Sequence, residues 1–119
     1  MKLRSLAAGI GARILAPGQE GDIEIGTVYG GDRMSDLLHA VSDSTLLVTH
    51  VSNQGLVRLI ELMDVPAVCL LDGAAPEQGV LDAAMACGTA VLVSPSGMFE
   101  TCGRLYRILC PLAGETTGL

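Results

Sequence analysis

From residue 45 onward, short apolar runs alternate regularly with segments whose apolar residues have helical spacing. Short apolar runs, typical of strands buried on both faces, cover Thr45–Thr49, Pro66–Leu71 and Ala90–Val93. Helical spacing of apolar residues predicts a helix at 53–63, a helix from near Pro76 to about Cys87, and a last helix after Ser96. Crossovers of this length join parallel strands. The pattern therefore predicts an α/β fold, a single compact domain with a mostly parallel sheet, βαβ crossovers and helices packed on it.

The chain before residue 45 is less regular. Residues 1–11 predict an amphipathic helix, and short strands are expected around Arg13–Leu15 and Ile23–Tyr29. Asp32 follows two glycines and precedes residues at helical spacing, so we expect it to cap the next helix. We place the domain at residues 1–110 and expect a flexible tail at 111–119.

Three polar residues come directly after the three regular strands. They are His50, Asp72 and Ser94. Ligands bind along the carboxyl edge of open parallel sheets, where helix N-termini also favour anions. The candidate ligand-binding residues are His50, Ser52, Asn53, Asp72, Gly73, Ser94 and Ser96.

Local structure offers a second interpretation of the same residues. Ser52 and Asn53 precede the helix at 53–63 and Ser96 precedes the last helix, so all three could act as caps. Asp72-Gly73 could form a tight turn where backbone approaches a ligand, or a plain connection. Catalysis at this edge is a third alternative, although no GxSxG elbow is present and Pro95 follows Ser94.

Other catalytic and cofactor motifs are missing from the sequence. Lys2 is the only lysine, which excludes a P-loop and an internal Schiff base. The four cysteines fit no common zinc spacing, and Gly9-Ile10-Gly11 lacks the third glycine of a dinucleotide fingerprint. We expect no cofactor and no metal, with Mg²⁺ at Asp32, Asp36 and Asp43 as a minor alternative.

Composition restricts the partners further. The net charge of −6 without a basic stripe argues against nucleic acid, and no apolar stretch approaches the length of a membrane span. Half of the residues are hydrophobic but only 3% are aromatic, so the core must be aliphatic. Four cysteines without a pairing pattern indicate a reducing, cytoplasmic setting, and we interpret all four as buried structural residues.

The order of the predicted elements, together with three stretches of sequence, resembles the DRTGG domain family over about residues 1–110. The stretches are YGGDRMSDLLHAV, TLLVTHVSNQGLVRLIELMDVPAVCLLDGAAPE and SPSGMFETCGRLYRIL. The sequence is most similar to the small stand-alone members that are encoded near iron-only hydrogenase and redox-complex genes and labelled as relatives of the HPr serine kinase. The family's name-giving letters differ here, with Ser52-Asn53-Gln54 and Leu71-Asp72-Gly73 at the corresponding places.

The resemblance implies a compact α/β domain, usually dimeric, with a regulatory or ligand-sensing role beside other regulatory domains. We therefore expect a non-catalytic regulatory or sensor domain that acts as a homodimer or by binding a protein partner in a redox or metabolic complex. A small anionic ligand could modulate it. The alternatives are an adenine-nucleotide or small-anion binding module, and a small enzyme that uses His50.

Overall fold

A five-stranded sheet lies between two layers of helices in the computed structural model, which describes residues 1–19 and 21–110. The helices are α1 (Leu3–Ile10), α2 (Met34–Ala40), α3 (Gln54–Leu62), α4 (Gln78–Cys87) and α5 (Met98–Leu109). The strands are β1 (Arg13–Pro17), β2 (Thr27–Gly30), β3 (Thr45–Thr49), β4 (Ala67–Leu70) and β5 (Ala90–Val93). The predicted α/β fold is confirmed; the predicted tail at 111–119 lies outside the described residues.

Four of the strands are parallel neighbours. The order across the sheet is β1-β5-β4-β3-β2, and β2 to β5 pair in parallel, as predicted for the last three. Every residue of β3, β4 and β5 is buried, which explains their aliphatic runs. β1 pairs antiparallel with β5 and closes the far edge.

Alternating side chains along the strands divide the interior into two cores. Leu47, Val68 and Val91 point to the side covered by the crossover helices α2, α3 and α4. Leu46, Cys69 and Leu92 point to the other side, where α1 and α5 pack. The three crossover helices therefore share one face, and the first and last helices share the opposite one.

The predicted strand at Ile23–Tyr29 begins only at Thr27. Its first part binds the chain's beginning instead, because Leu3 N donates to Ile23 O at 2.8 Å and Ile25 N donates to Met1 O at 2.9 Å. β1 in turn runs to Pro17, beyond its predicted end. The apolar residues Ile23 and Ile25 pack against α1, and they are not part of a sheet strand.

Three of the predicted caps are wrong. Arg33 and Gly97 occupy the N-cap positions of α2 and α5 without a side-chain hydrogen bond, so neither Asp32 nor Ser96 caps a helix. Ser52 does not cap α3 either. Asn53 does cap α3, as predicted, by accepting from Gly55 N.

The cysteines are not all buried. Cys69 is fully buried in β4 and Cys102 is half-buried, as the structural interpretation requires. Cys87 and Cys110 are exposed, so that interpretation is wrong for these two. Cys87 is the last residue of α4 and Cys110 is the C-cap of α5, so both lie at helix ends and not on a helix face packed against the sheet.

The longest helix, α5, has 12 residues. No helix in the described ranges is long and apolar enough to cross a membrane.

The link after β1 depends on close backbone packing at Gly18, which yields a stability prediction. Its φ is +78°, and an added Cβ would lie 2.9 Å from both Ala90 N and Ile23 Cδ1. Gly21 has a similar φ of +81° but nothing within 4 Å, so it is a matched control. We expect Gly21→Ala to lower the free energy of unfolding by about 1 kcal/mol, from backbone strain, and Gly18→Ala by about 2–4 kcal/mol, from strain plus overpacking. Urea denaturation measures both; equal losses would contradict the close packing.

Candidate functional site at the carboxyl edge of the sheet

His50 lies between two carboxylates at the carboxyl edge. Its Nδ1 is 2.9 Å from Asp32 Oδ2, and its Nε2 is 3.2 Å from Asp72 Oδ2. Asp32 follows β2, His50 follows β3 and Asp72 follows β4, so the three side chains join three consecutive strand ends. We call Asp32, His50 and Asp72 the His50 clasp.

Asp32 is the most firmly held member of the clasp. Its Oδ1 accepts hydrogen bonds from the backbone N of His50 at 2.7 Å and from the Thr49 hydroxyl at 3.0 Å. The other oxygen, Oδ2, is thereby directed at the imidazole. The Asp32 carboxylate accepts the hydrogen bonds of the Thr49 hydroxyl and the His50 backbone N–H at the end of β3. It is therefore engaged there and does not cap α2.

The clasp favours the charged forms of His50 and Asp32. The hydrogen bond to Asp32 raises the pKa of His50; partial burial opposes this shift, and the charges of Asp32 and Asp72 add to it. For Asp32, partial burial works to raise the pKa, but hydrogen bonds from His50 and Thr49 outweigh it and the pKa is lowered. A neutral imidazole donates from only one nitrogen, so carboxylates beside both nitrogens favour the imidazolium.

Asp72 and Gly73 form a tight turn. Ala74 N donates to Leu71 O at 3.2 Å, and both central residues have positive φ, +58° for Asp72 and +65° for Gly73. Aspartate tolerates this region better than most side chains. Two further bonds fix the turn to the next loop, because Asp72 N donates to Ser96 O and Gly73 N donates to Ser94 O.

Ser94 points into the protein. It is fully buried, and its hydroxyl lies 2.8 Å from the Thr101 hydroxyl and accepts from Ser96 N. Ser96 is half-buried and its hydroxyl accepts from the Arg104 guanidinium at 3.4 Å. These two serines attach the end of β5 to α5, and only Ser96 reaches the surface.

The remaining two candidates serve the helix starts. Asn53 Oδ1 accepts from Gly55 N at 2.9 Å, as a cap of α3. The Ser52 hydroxyl accepts from Glu77 N at 3.3 Å and so connects the loop before α3 to the loop before α4. Both lie next to the clasp in sequence, but no hydrogen bond joins either side chain to it.

The structure thus connects His50 and Asp72 directly, and Gly73, Ser94 and Ser96 through the backbone. Sequence reasoning missed Asp32 as a member of the site. The available signal was its place after an apolar stretch ending in two glycines, which resembles the other strand ends. The signal was hidden because β2 was not recognised as a parallel neighbour of β3.

The clasp is open to solvent. About half of each side chain is exposed, 47% for Asp32, 45% for His50 and 60% for Asp72. The two carboxylates approach opposite nitrogens of the ring, so they do not converge on one point. Within residues 1–19 and 21–110, no group of three or more His, Cys, Asp or Glu side chains is arranged to hold a metal ion.

The sequence matches no protein-family model and no curated protein. Among solved structures, it is similar to the crystal structure of the CBS and DRTGG domains of the regulatory region of Clostridium perfringens pyrophosphatase, complexed with the activator diadenosine tetraphosphate. The TM-score is 0.70 at 16% identity, over 87% of this chain and 45% of that chain. The chain therefore spans less than half of its structural neighbour. The likeness supports a DRTGG-like fold; it shows no relation to the HPr serine kinase.

The buried hydroxyl pair predicts coupled stability effects. Because Ser94 and Thr101 bond to each other, Ser94→Ala and Thr101→Val should be less damaging together than the sum of the single changes. We expect a coupling of about 1 kcal/mol in a double-mutant cycle followed by urea denaturation. The control pair is Ser94→Ala with Thr45→Val. Thr45 begins β3, which β4 separates from β5, so these two changes should be additive. Additivity of the first pair would contradict the bond.

The clasp predicts a specific pH dependence. The raised pKa of His50 stabilises the fold fully below about pH 6.5, and this contribution is lost as the pH rises through the folded pKa. The lowered pKa of Asp32 contributes above about pH 3.9 and is lost as the pH falls. The loss of unfolding free energy in His50→Gln should therefore peak between about pH 4 and pH 6.5 and shrink toward pH 9. Because the pair is half exposed, the peak should stay within about 1 kcal/mol.

The control is Leu62→Gln, because Leu62 is exposed at the end of α3 and carries no titratable group. It should give a flat difference curve over the same range. A difference for His50→Gln that is constant from pH 4 to pH 9 would contradict the clasp.

Proposed function

We propose that the chain is a non-catalytic regulatory domain that responds to a small ligand at the carboxyl edge and acts by self-association or by binding a protein partner. The observation that supports this most is the His50 clasp. It ties the ends of β2, β3 and β4 with one exposed imidazolium. A ligand that competes for His50 or for its carboxylates changes how these three strand ends are held together, and this is what a sensor requires.

The contacts of His50 favour regulation over catalysis. A general base needs a ring nitrogen within reach of substrate, whereas both nitrogens of His50 contact carboxylates. The hydroxyl of Ser94 is buried against Thr101 and is not available as a nucleophile beside His50. The structural neighbour is also a regulatory region. A small enzyme using His50 is thus the least supported of the three functions.

Binding of an adenine nucleotide or another small anion is the second candidate. The structural neighbour was crystallised with diadenosine tetraphosphate. At the same edge of this chain, α5 has Gly97 at its N-cap position and no side-chain cap, which leaves its first amide groups available to an anion. Arg104 reaches Ser96 beside that helix start, and Phe99 in the first turn is 91% exposed. An exposed aromatic ring can stack on a base.

Charge limits how such a ligand could approach. Asp32 and Asp72 place two carboxylates around one imidazolium, so the clasp itself repels a polyphosphate. Arg104, from the middle of α5, extends its side chain to Ser96 at the helix start and pairs with Glu100 at 3.5 Å. We therefore expect the phosphates to approach from the α5 side, next to Ser96.

The assembly, the partner and the location of the protein are predictions from the sequence. The homodimer, the partner in a redox or metabolic complex, the cytoplasmic location and the stand-alone type of DRTGG protein come from the sequence resemblance and composition. The fold likeness supports the DRTGG-like architecture on which they depend.

Ligand binding is tested by a thermal-shift screen followed by calorimetry. The probes are diadenosine tetraphosphate, ATP, ADP and acetyl phosphate, each with and without Mg²⁺. We expect at least one nucleotide to raise the Tm, because binding to the folded state alone must stabilise it. Arg104→Gln should weaken that binding about tenfold, as expected for one charged hydrogen bond.

Leu62→Gln is the control for this experiment. Leu62 is 77% exposed at the end of α3, on the opposite side of the sheet from α5. Its replacement should therefore leave the affinity for the nucleotide unchanged. If no probe shifts the Tm at millimolar concentration, the ligand-sensing part of the proposal fails while the assembly part stands.

A further inference from the structure

The two edges of the sheet are protected differently. β1 carries Arg13, ends in Pro17 and has an irregular register between Ile14 and Ala16. Charge, proline and bulges are among the devices by which edge strands avoid pairing with another chain. β2, at the other edge, reads Thr-Val-Tyr-Gly and has a regular register with β3. It carries none of these three devices.

The free backbone groups of β2 belong to Val28 and Gly30. Thr27 N donates to Ser44 O at 3.2 Å and Gly31 N donates to Val48 O at 2.9 Å. In a parallel ladder, alternate residues bond to the neighbouring strand. Residues 27, 29 and 31 therefore face β3, and the N–H and C=O groups of residues 28 and 30 point to the open edge.

The surface beside this edge is apolar and uncharged on the α5 side. A cavity of about 510 Å³ lies between β2 and α5, lined by Val28, Cys102, Tyr106, Leu109, Cys110 and the backbone at residues 26, 27 and 30. No Asp, Glu, Lys, Arg or His side chain lines this cavity. Tyr106 is 59% exposed, although it lies in the middle of α5.

A second copy of this chain fits the free groups of β2, because residues 28 and 30 are matched by residues 30 and 28 of an identical antiparallel strand. The net charge of −6 makes two copies repel each other over most approaches. The uncharged cavity beside β2 permits contact without that cost.

We infer that β2 pairs antiparallel with β2 of a second copy, across a twofold axis, and joins the two sheets into one. The free groups fix the register: Val28 lies opposite Gly30 of the second copy, and Tyr29 lies opposite itself. Val28 and Gly30 of each strand then exchange hydrogen bonds with Gly30 and Val28 of the other, and the Tyr29 rings form a cross-strand aromatic pair. This inference rests on the self-association named in the proposed function and identifies its surface.

Val28→Pro is the first test, because it removes an N–H that the single copy does not use. Proline is accepted on edge strands whose N–H faces away from the sheet. We expect wild type to be a dimer at micromolar concentration by light scattering and sedimentation velocity. Val28→Pro should raise the dimer dissociation constant at least about thirtyfold, since the dimer loses two hydrogen bonds. Val28→Thr, which keeps the N–H and the branched shape, should dimerise as wild type does.

Tyr29→Cys tests the register independently and decides the matter if Val28→Pro fails to fold. A non-hydrogen-bonded antiparallel pair has Cα atoms about 4.5 Å apart, within the range of a disulfide. In a background with Cys87→Ser and Cys110→Ser, Tyr29→Cys should form a covalent dimer under mild oxidation. Leu62→Cys, exposed on the end of α3, should stay monomeric on a non-reducing gel.

The outcomes separate this inference from the proposed function. A strictly monomeric wild type would overturn both the β2 interface and the assembly part of the proposal. A wild-type dimer that folded Val28→Pro leaves intact, together with absent Tyr29→Cys cross-linking, would overturn the β2 interface alone. Self-association through another surface would then carry the proposed function.

Discussion

Burial of β3, β4 and β5 on both faces is the constraint on which the rest of the structure depends. A strand with two covered faces needs a layer of helices on each side, and the chain supplies them by crossing over between parallel strands. Parallel strands end at the same edge. Asp32, His50 and Asp72 are far apart in sequence. They meet at this edge because three parallel strands in succession, β2, β3 and β4, end there.

The clasp and the open edge are physically continuous. Asp32 follows β2 after only Gly31, and Gly31 N is itself bonded to Val48 O. A change in the position of Asp32 therefore acts on the strand that presents the free backbone groups. In the proposed function, this short path connects occupation of the carboxyl edge with pairing of β2, without any movement of the buried strands.

The sequence predicted the regular half of the fold more accurately than the irregular half. β3 and β5 were predicted to the residue, because their apolar runs are bounded by polar residues and glycine. The stretch 23–25 was misassigned because burial against α1 and burial in a sheet leave the same apolar signal. Capping was predicted from residue type alone, and Asn53 satisfied it while Asp32 and Ser96 found other partners.

The candidate site shows the same division. His50 and Asp72 could be placed together from strand order, because parallel strand ends must converge. The direction of Ser94 could not, since residue type does not say whether the first side chain after a strand faces solvent or the next helix; here Thr101 on α5 supplies the partner. Asp32 required knowledge that β2 is parallel, which a four-residue strand does not reveal from its pattern.

The antiparallel pairing of β1 with β5 has a consequence for how the protein is made. Pro17 pairs with Ala90, so the first strand to be synthesised has to wait for the last before it can complete its hydrogen bonds. The four parallel strands can meanwhile assemble progressively, each beside its predecessor. During translation, α1 and β1 can therefore pack against α5 and β5 only at a late stage. Their apolar surface stays exposed on the nascent chain until the end of the domain leaves the ribosome.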